Sequence, residues 1–263
     1  MSNAVVIGNG ESRSWYCPSH QTFGVPVTTW GCNAIHRDGL PDNLVAVDYG
    51  MQQEIYETNN WRDTQCWFAN WSILPAEVAA VMFMGYDIPE AFINRNSNVT
   101  DRCVISGKDP VTVNEKIETA IKMHPHLDMK DLRAKMEKDV GVWITYVEED
   151  DNINNIDFPI GWSAGNTALY LACQSGAEEV YILGFDLSSY DEPLNNIYKG
   201  TDNYLSSDAK GFNSVNWKDQ MQTVFEEFKD VKFYWVDARD NSIQENNLSY
   251  LTKTDFCDTL KIL

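Results

Sequence analysis

Several short apolar runs in this chain stop at residues that can bind or react. The run AVVIG, 4–8, is followed by Asn9, Gly10 and Ser12, and VPVTTW, 25–30, by Gly31, Cys32 and Asn33. LVAVD, 44–48, ends on Asp48, and EVYILG, 179–184, leads through Phe185 to Asp186. Between them GWSAGN sets Ser163, Ala164 and Gly165 in a row. Glycines at 8 and 10 let backbone N–H groups approach a phosphate closely, and Ser12 can add a hydroxyl. The same Gly8-Asn9-Gly10 also suits a plain tight turn. Small residues at a helix start leave N–H groups open to an anion or to a base carbonyl. Ala164, Ala168 and Ala172 would also let a helix lie close on a sheet, but packing alone leaves Asp186 unexplained.

The dinucleotide fingerprint GxGxxG would place glycine at position 13, where the chain has Arg13, so a nicotinamide cofactor loses support. Six cysteines stand apart without any CxxC pair, and the four histidines form no HExxH; His124 and His126 merely flank a proline. No metal site is expected from such spacing.

Residues of this kind need a frame that brings strand ends together. Apolar runs at 4–8, 25–30, 44–48 and 66–69 predict strands, with helices over 51–58 and 75–83, the latter opened by Pro75. Further on, 103–106 and 142–147 read as strands and 113–123 and 129–139 as helices, while EEDDNINNID, 148–157, reads as a polar loop. A helix over 163–175, a strand at 179–184, a helix over 216–228 and a last core strand at 232–237 complete the pattern. Strands alternating with helices predict an α/β fold: a Rossmann-like, mainly parallel sheet flanked by helices, as one domain over 1–263. In such sheets ligands bind beyond the carboxyl ends of the strands, where Gly8, Asn9, Gly10, Asn33, Asp48, Ser163 and Asp186 would gather.

The stretch after Asp186 is long, polar and aromatic, with Tyr190, Tyr198 and Tyr204. A loop of that length inside a compact domain is usually a lid, so 187–216 is expected to be a lid-like insertion held by few contacts when empty.

Composition narrows the partners. The 263 residues carry 39 Asp and Glu against 20 Lys and Arg, a net charge of −19, which repels nucleic acid and anionic membranes. No apolar run approaches the ~18 residues of a membrane span, and the first residues lack the pattern of a signal peptide. A soluble, cytoplasmic protein is expected; assembly into a homo-oligomer is left open.

Taken in order, strand–GNG–Ser, strand–Gly-Cys-Asn and small-residue helix–strand–Gly-Phe-Asp resemble the bacterial sialyltransferases of glycosyltransferase family 42 and the related DUF115 group, over residues 4–48 and 161–235. The polar NNIYKGTDNY has the style of insertions in similar marine-phage proteins, which would place the chain in a host cytoplasm. The resemblance implies a CMP-type nucleotide-sugar donor and a glycan or small-molecule acceptor. By position it puts Asn9 and Asn33 beside the donor's phosphate and sugar, Ser163 and Ala164 near the nucleotide, and Asp186 at the ribose or the active-site floor. Tyr198 would be a lid tyrosine on the leaving phosphate, with Tyr204 swinging toward it, and their hydroxyls would stabilise the developing charge. No DxD occurs, in keeping with metal-independent transfer. The family's general base, a histidine late in the lid, has no counterpart in DAKGFNSVNWKDQ, where Lys210, Asp208 or Asp219 are the substitutes. The rival readings are a non-catalytic nucleotide-binding or virion-associated structural protein that keeps the fold, and a DUF115-type phosphotransferase acting on a small heterocycle.

Overall fold

The computed structural model describes residues 2–69, 152–159, 161–187, 196–204, 206, 208 and 215–262, with the backbone of 102–107 and 142–147. The helices expected at 75–83, 113–123 and 129–139 lie outside the described residues. In chain order the elements are β1 (Asn3–Ile7), β2 (Val27–Cys32), β3 (Asn43–Ala46), α1 (Tyr49–Glu57), β4 (Gln65–Ala69), β5 (Arg102–Gly107), β6 (Val142–Val147), β7 (Ile153–Ile156), α2 (Ala164–Gln174), β8 (Glu179–Leu183), α3 (Val215–Glu227), β9 (Lys232–Val236), β10 (Leu248–Leu251) and α4 (Lys253–Leu260).

Eight strands form one sheet in the order β10-β9-β8-β1-β2-β3-β4-β7, every pairing parallel. β5 and β6 form a separate antiparallel pair. The α/β, Rossmann-like expectation therefore holds. A central parallel strand is covered on both faces and reads as an unbroken apolar run, as β1 does. Ala4 and Val6 face α2 and α3 through Leu169, Met221 and Phe225, whereas Val5 and Ile7 face α1 and α4 through Met51, Ile55 and Phe256. All are buried.

Two elements at the sheet's edges depart from the sequence reading. The expected polar loop 148–157 contains β7, whose Ile153 and Ile156 are buried while Asn154 donates to Gln65 and Gln65 to Asn152. An edge strand has one neighbour and tolerates such polar side chains, so its sequence carries no alternation. The strand at 232–237 is also not the last: β10 pairs beyond it, and α4 follows. Thr252 and Asp255 form a capping box at the start of α4, a signal present in the sequence.

From β1 the chain winds to β2 and β3 on one side; from β8, beside β1, it winds to β9 and β10 on the other. The direction reverses between β1 and β8, so the crevice of an open α/β sheet falls at their carboxyl ends. There the two strand exits interlock. Gly8 N–H donates to the Leu183 carbonyl and Gly10 N–H to that of Gly184, each at 2.8 Å. A Cβ on Gly8 would lie 2.5 Å from the Gly184 oxygen, and one on Gly184, at φ +66°, 2.8 Å from the Gly8 oxygen. Backbone meets backbone, so neither side can yield. Gly8→Ala is expected to cost about 1–3 kcal/mol of stability by overpacking, read from urea unfolding; an unchanged midpoint would show that the strand exits can part.

Candidate functional site

A cleft opens at this switch point. Gly8, Asn9 and Gly10 from β1, Cys32 and Asn33 from β2, and Gly184 to Leu187 from β8 form its floor. Ser163, Ala164, Gly165 and Asn166 at the start of α2 form one wall, with Trp217 and Met221 of α3 beside them. Of the residues singled out in the sequence, Gly8, Asn9, Gly10, Asn33, Ser163, Ala164 and Asp186 line this cleft; Ser12 lies behind Asp186, and Tyr198 and Tyr204 lie beneath the floor residues. Asp48 is exposed just before α1 and does not line the cleft.

The glycines of the Gly-Asn-Gly turn, whose composition suggests a phosphate cradle, are engaged by the neighbouring strand exit. Its glycine N–H groups are committed to β8, and the space of a Gly10 side chain is filled by Asp186, whose Cγ would stand 2.6 Å from an added Cβ. Ser12 uses its N–H, not its hydroxyl, donating 2.8 Å to Asp186 Oδ2. Asn9 is saturated too: Nδ2 donates to the Cys32 carbonyl and to the Tyr204 hydroxyl, each at 3.1 Å, and Oδ1 accepts from Arg13. Close approach of two strand ends is what these small residues serve.

Among the described residues that line the cleft, three side-chain acceptors remain open. The Oδ1 atoms of Asn33, Asn166 and Asp186 are buried without a hydrogen-bond partner, although buried acceptors normally have one. Asn33 holds a left-handed backbone, φ +51°, a conformation asparagine tolerates. The second oxygen of Asp186 is held by Ser12, with Arg239 Nε 3.7 Å away. Donors line the same cleft: the N–H groups of Ala164 and Gly165, in the first turn of α2 with Asn166, have no partner within the helix. Ser163 caps that turn, its hydroxyl accepting from Asn166 N–H at 3.3 Å. Asn166, Trp217 and Met221 were not singled out from the sequence; the signal for Asn166 was its place in the same GWSAGN run.

Beneath the floor lies Arg13, 1% exposed, though arginine is almost never buried unless paired. Its Nε donates to the Gly8 carbonyl, Nη1 to the Tyr16 carbonyl at 3.3 Å, and Nη2 to Asn9 Oδ1 at 3.2 Å and the Tyr198 hydroxyl at 2.9 Å. Asp38 lies 3.6 Å from Nη1 and accepts a hydrogen bond from the Tyr198 hydroxyl. Burial pushes the Tyr198 phenol well above its ordinary value, so it stays a donor. Tyr204 accepts from Asn9 and from Ala34 N–H. In this structure neither tyrosine hydroxyl reaches into the cleft.

Of the expected lid, residues 196–204 are held by many contacts in this structure. Ile197 N–H donates to the Asn9 carbonyl at 3.0 Å, and Asn196 bridges Gly10. Arg37 stacks near both tyrosine rings, grips Glu54 with two bonds of 2.6 Å and donates to Thr201 at 2.7 Å. Asn203 also donates to Glu54, at 2.8 Å, and His36 Nε2 lies 3.0 Å from it. Residues 188–195 of the expected lid lie outside the described residues.

Other chemistry is limited. Burial pushes the Cys32 thiol up to about 12, so no thiolate nucleophile forms there. No histidine lines the cleft among the described residues, and no group of three or more His, Cys, Asp or Glu is placed to hold a metal ion. Asp208 and Asp219 are exposed, and Lys210 lies outside the described residues. Among the described residues no helix is long and apolar enough to cross a membrane.

The clamp on 196–204 carries a pH dependence. Burial raises the Glu54 carboxyl, but the bonds from Arg37 and Asn203 and the charges of Arg37 and His36 together outweigh it, leaving Glu54 below its ordinary 4.5. A lowered carboxylate contributes stability that is complete above its ordinary value and is lost as the pH falls through the folded one. Amide protection of 196–204 is therefore expected to decline on acidification below 4.5, and Glu54→Gln to flatten that decline. Hydrogen exchange across this range reads it; identical profiles for the two proteins would refute the clamp.

No protein-family model matches the chain, and no curated protein matches it. Among solved structures it is similar to the sialyltransferase CstII from Campylobacter jejuni, determined in complex with a substrate analogue, CMP-3FNeuAc. That alignment covers 89% of this chain and 80% of the other, at 13% sequence identity and a TM-score of 0.39.

Proposed function

We propose that the cleft binds a nucleotide sugar and that the protein is a glycosyltransferase of sialyltransferase-like type, with a CMP-type donor and a glycan or small-molecule acceptor. One observation carries the reading: at the switch point of a parallel sheet, the open donors of the α2 first turn share the cleft with three buried acceptor oxygens with no partner, those of Asn33 and Asp186 on the floor and that of Asn166 on the same turn. A ligand that satisfies both sides must carry acceptors and several hydroxyl or amine donors on one compact body. A nucleotide sugar does, whereas a simple anion leaves Asn33, Asn166 and Asp186 desolvated and unpaired, each at about 1–3 kcal/mol.

In this reading Asp186 takes a ribose or sugar hydroxyl on its open oxygen, and Asn33 takes another. Transfer breaks the bond between the anomeric carbon and the phosphate oxygen and forms one to an acceptor hydroxyl, whose proton goes to a base. Asp186, on the cleft floor, is the carboxylate among the described lining residues, and it can take that role only while its open oxygen is not engaged by the donor. A non-catalytic nucleotide-binding protein is the second reading, favoured by the commitment of the Tyr198 hydroxyl to Arg13 and Asp38 and by a lining without histidine among the described residues.

A thermal-shift panel of CMP, UDP, GDP, ATP and their sugar conjugates tests both. A ligand at a hundred times its Kd is expected to add ~2.7 kcal/mol to stability. The stabilising conjugate is then incubated with glycan acceptors. Consumption of the donor supports transfer, binding without consumption supports the second reading, and a panel with no shift sinks both. Ala164, 4% exposed and lining the cleft, allows an independent check. Ala164→Phe is expected to abolish the shift while leaving a cooperative melt, and an unaltered shift would move the ligand elsewhere.

A further inference from the structure

The polarity of the α2 wall is fixed by two backbone groups. Ser163 N–H, which can only donate, points at the Gln220 side chain 3.1 Å away, so the atom facing it is the oxygen. That same oxygen faces the Asn166 amide at 3.1 Å, and the Trp217 carbonyl, which can only accept, faces it at 3.0 Å. Both neighbours being acceptors, Asn166 must present Nδ2 to them. Its Oδ1 is thereby left as a fixed acceptor, buried, unpartnered and on a residue that lines the cleft and is 2% exposed.

This acceptor belongs to the same helical turn as the open N–H groups of Ala164 and Gly165. A phosphate offers acceptor oxygens alone; seated on those N–H groups it would set lone pairs against Asn166 Oδ1 in a desolvated corner. A heterocycle edge bearing a ring acceptor or carbonyl next to an N–H satisfies both. Resting on the nucleotide reading of the cleft, we propose that the start of α2 is a nucleobase subsite rather than a phosphate site. Asn166 reads a base N–H donor there and Gln220 is the residue that positions it.

Calorimetric titrations of the whole protein with cytidine, uridine, adenosine and guanosine, against ribose 5-phosphate and orthophosphate, separate the two arrangements. At least one nucleoside is expected to bind and to compete with its own nucleotide, while ribose 5-phosphate and orthophosphate do not. Gln220→Met, which removes one of the two acceptors that hold Asn166 Nδ2 and leaves the Trp217 carbonyl alone to fix the amide, is expected to weaken that nucleoside by about tenfold or more, and Gln220→Glu, which keeps the acceptor oxygen, to restore it. If a nucleotide binds but ribose 5-phosphate binds as well as it and no nucleoside does, the inference is overturned while the nucleotide reading stands. Unchanged nucleoside affinity in a folded Gln220→Met protein overturns it too. Should Gln220→Met fail to fold, the comparison of nucleoside with ribose 5-phosphate on the unaltered protein decides. Failure of every nucleotide to bind is a different result, and removes the function proposed above.

Discussion

A guanidinium excluded from water organises this molecule. Removing such a charge from solvent costs several kcal/mol unless attraction and hydrogen bonds offset it, so the chain around Arg13 is shaped to supply them. The Gly8 and Tyr16 carbonyls, Asn9, Tyr198 and Asp38 come from the first strand exit, the turn after it, the segment following β2 and the segment following β8. The polypeptide from 196 to 204 passes under the floor of the cleft, where its tyrosine is one of these partners, and the side-chain amide of Asn9, though the residue lines the cleft, is engaged because it is another.

What remains of the cleft after that demand is met gives it its chemistry. The polar groups bound to Arg13, directly or through Asn9, face down and are satisfied; those left facing up are the oxygens of Asn33, Asn166 and Asp186 and the first N–H groups of α2. Structural and ligand-facing polarity are thus divided between two layers, and the type of a residue does not reveal its layer. Asn9 and Asn33 are alike in sequence context, each following a strand, yet one is saturated and the other is open.

This division marks how far the sequence could be read. Central strands such as β1 were legible because burial on both faces demands an unbroken apolar run, and the gathering of Asn33, Ser163, Ala164 and Asp186 followed from the rule for parallel sheets. The edges were not legible: β7 hides in a polar tract because one side of it needs no core, and β10 is four residues long. Arg13 registered only as a glycine missing from a fingerprint, since nothing local to it announces partners as distant as Tyr198. The tyrosines were recognised as special for the right residue type, but whether a hydroxyl serves a ligand or a buried charge depends on contacts across 185 residues of chain.

The interlocked glycines at 8 and 184 have a mechanical consequence. With carbonyl against Cα on both sides, the central strands meet as a single stiff plate, and the floor of the cleft has no hinge. Any adjustment to a guest must come from the walls. There the amide belt of Ser163, Asn166, Trp217 and Gln220 ties α2 to α3, so the two helices would tilt as one jaw over an unmoving base.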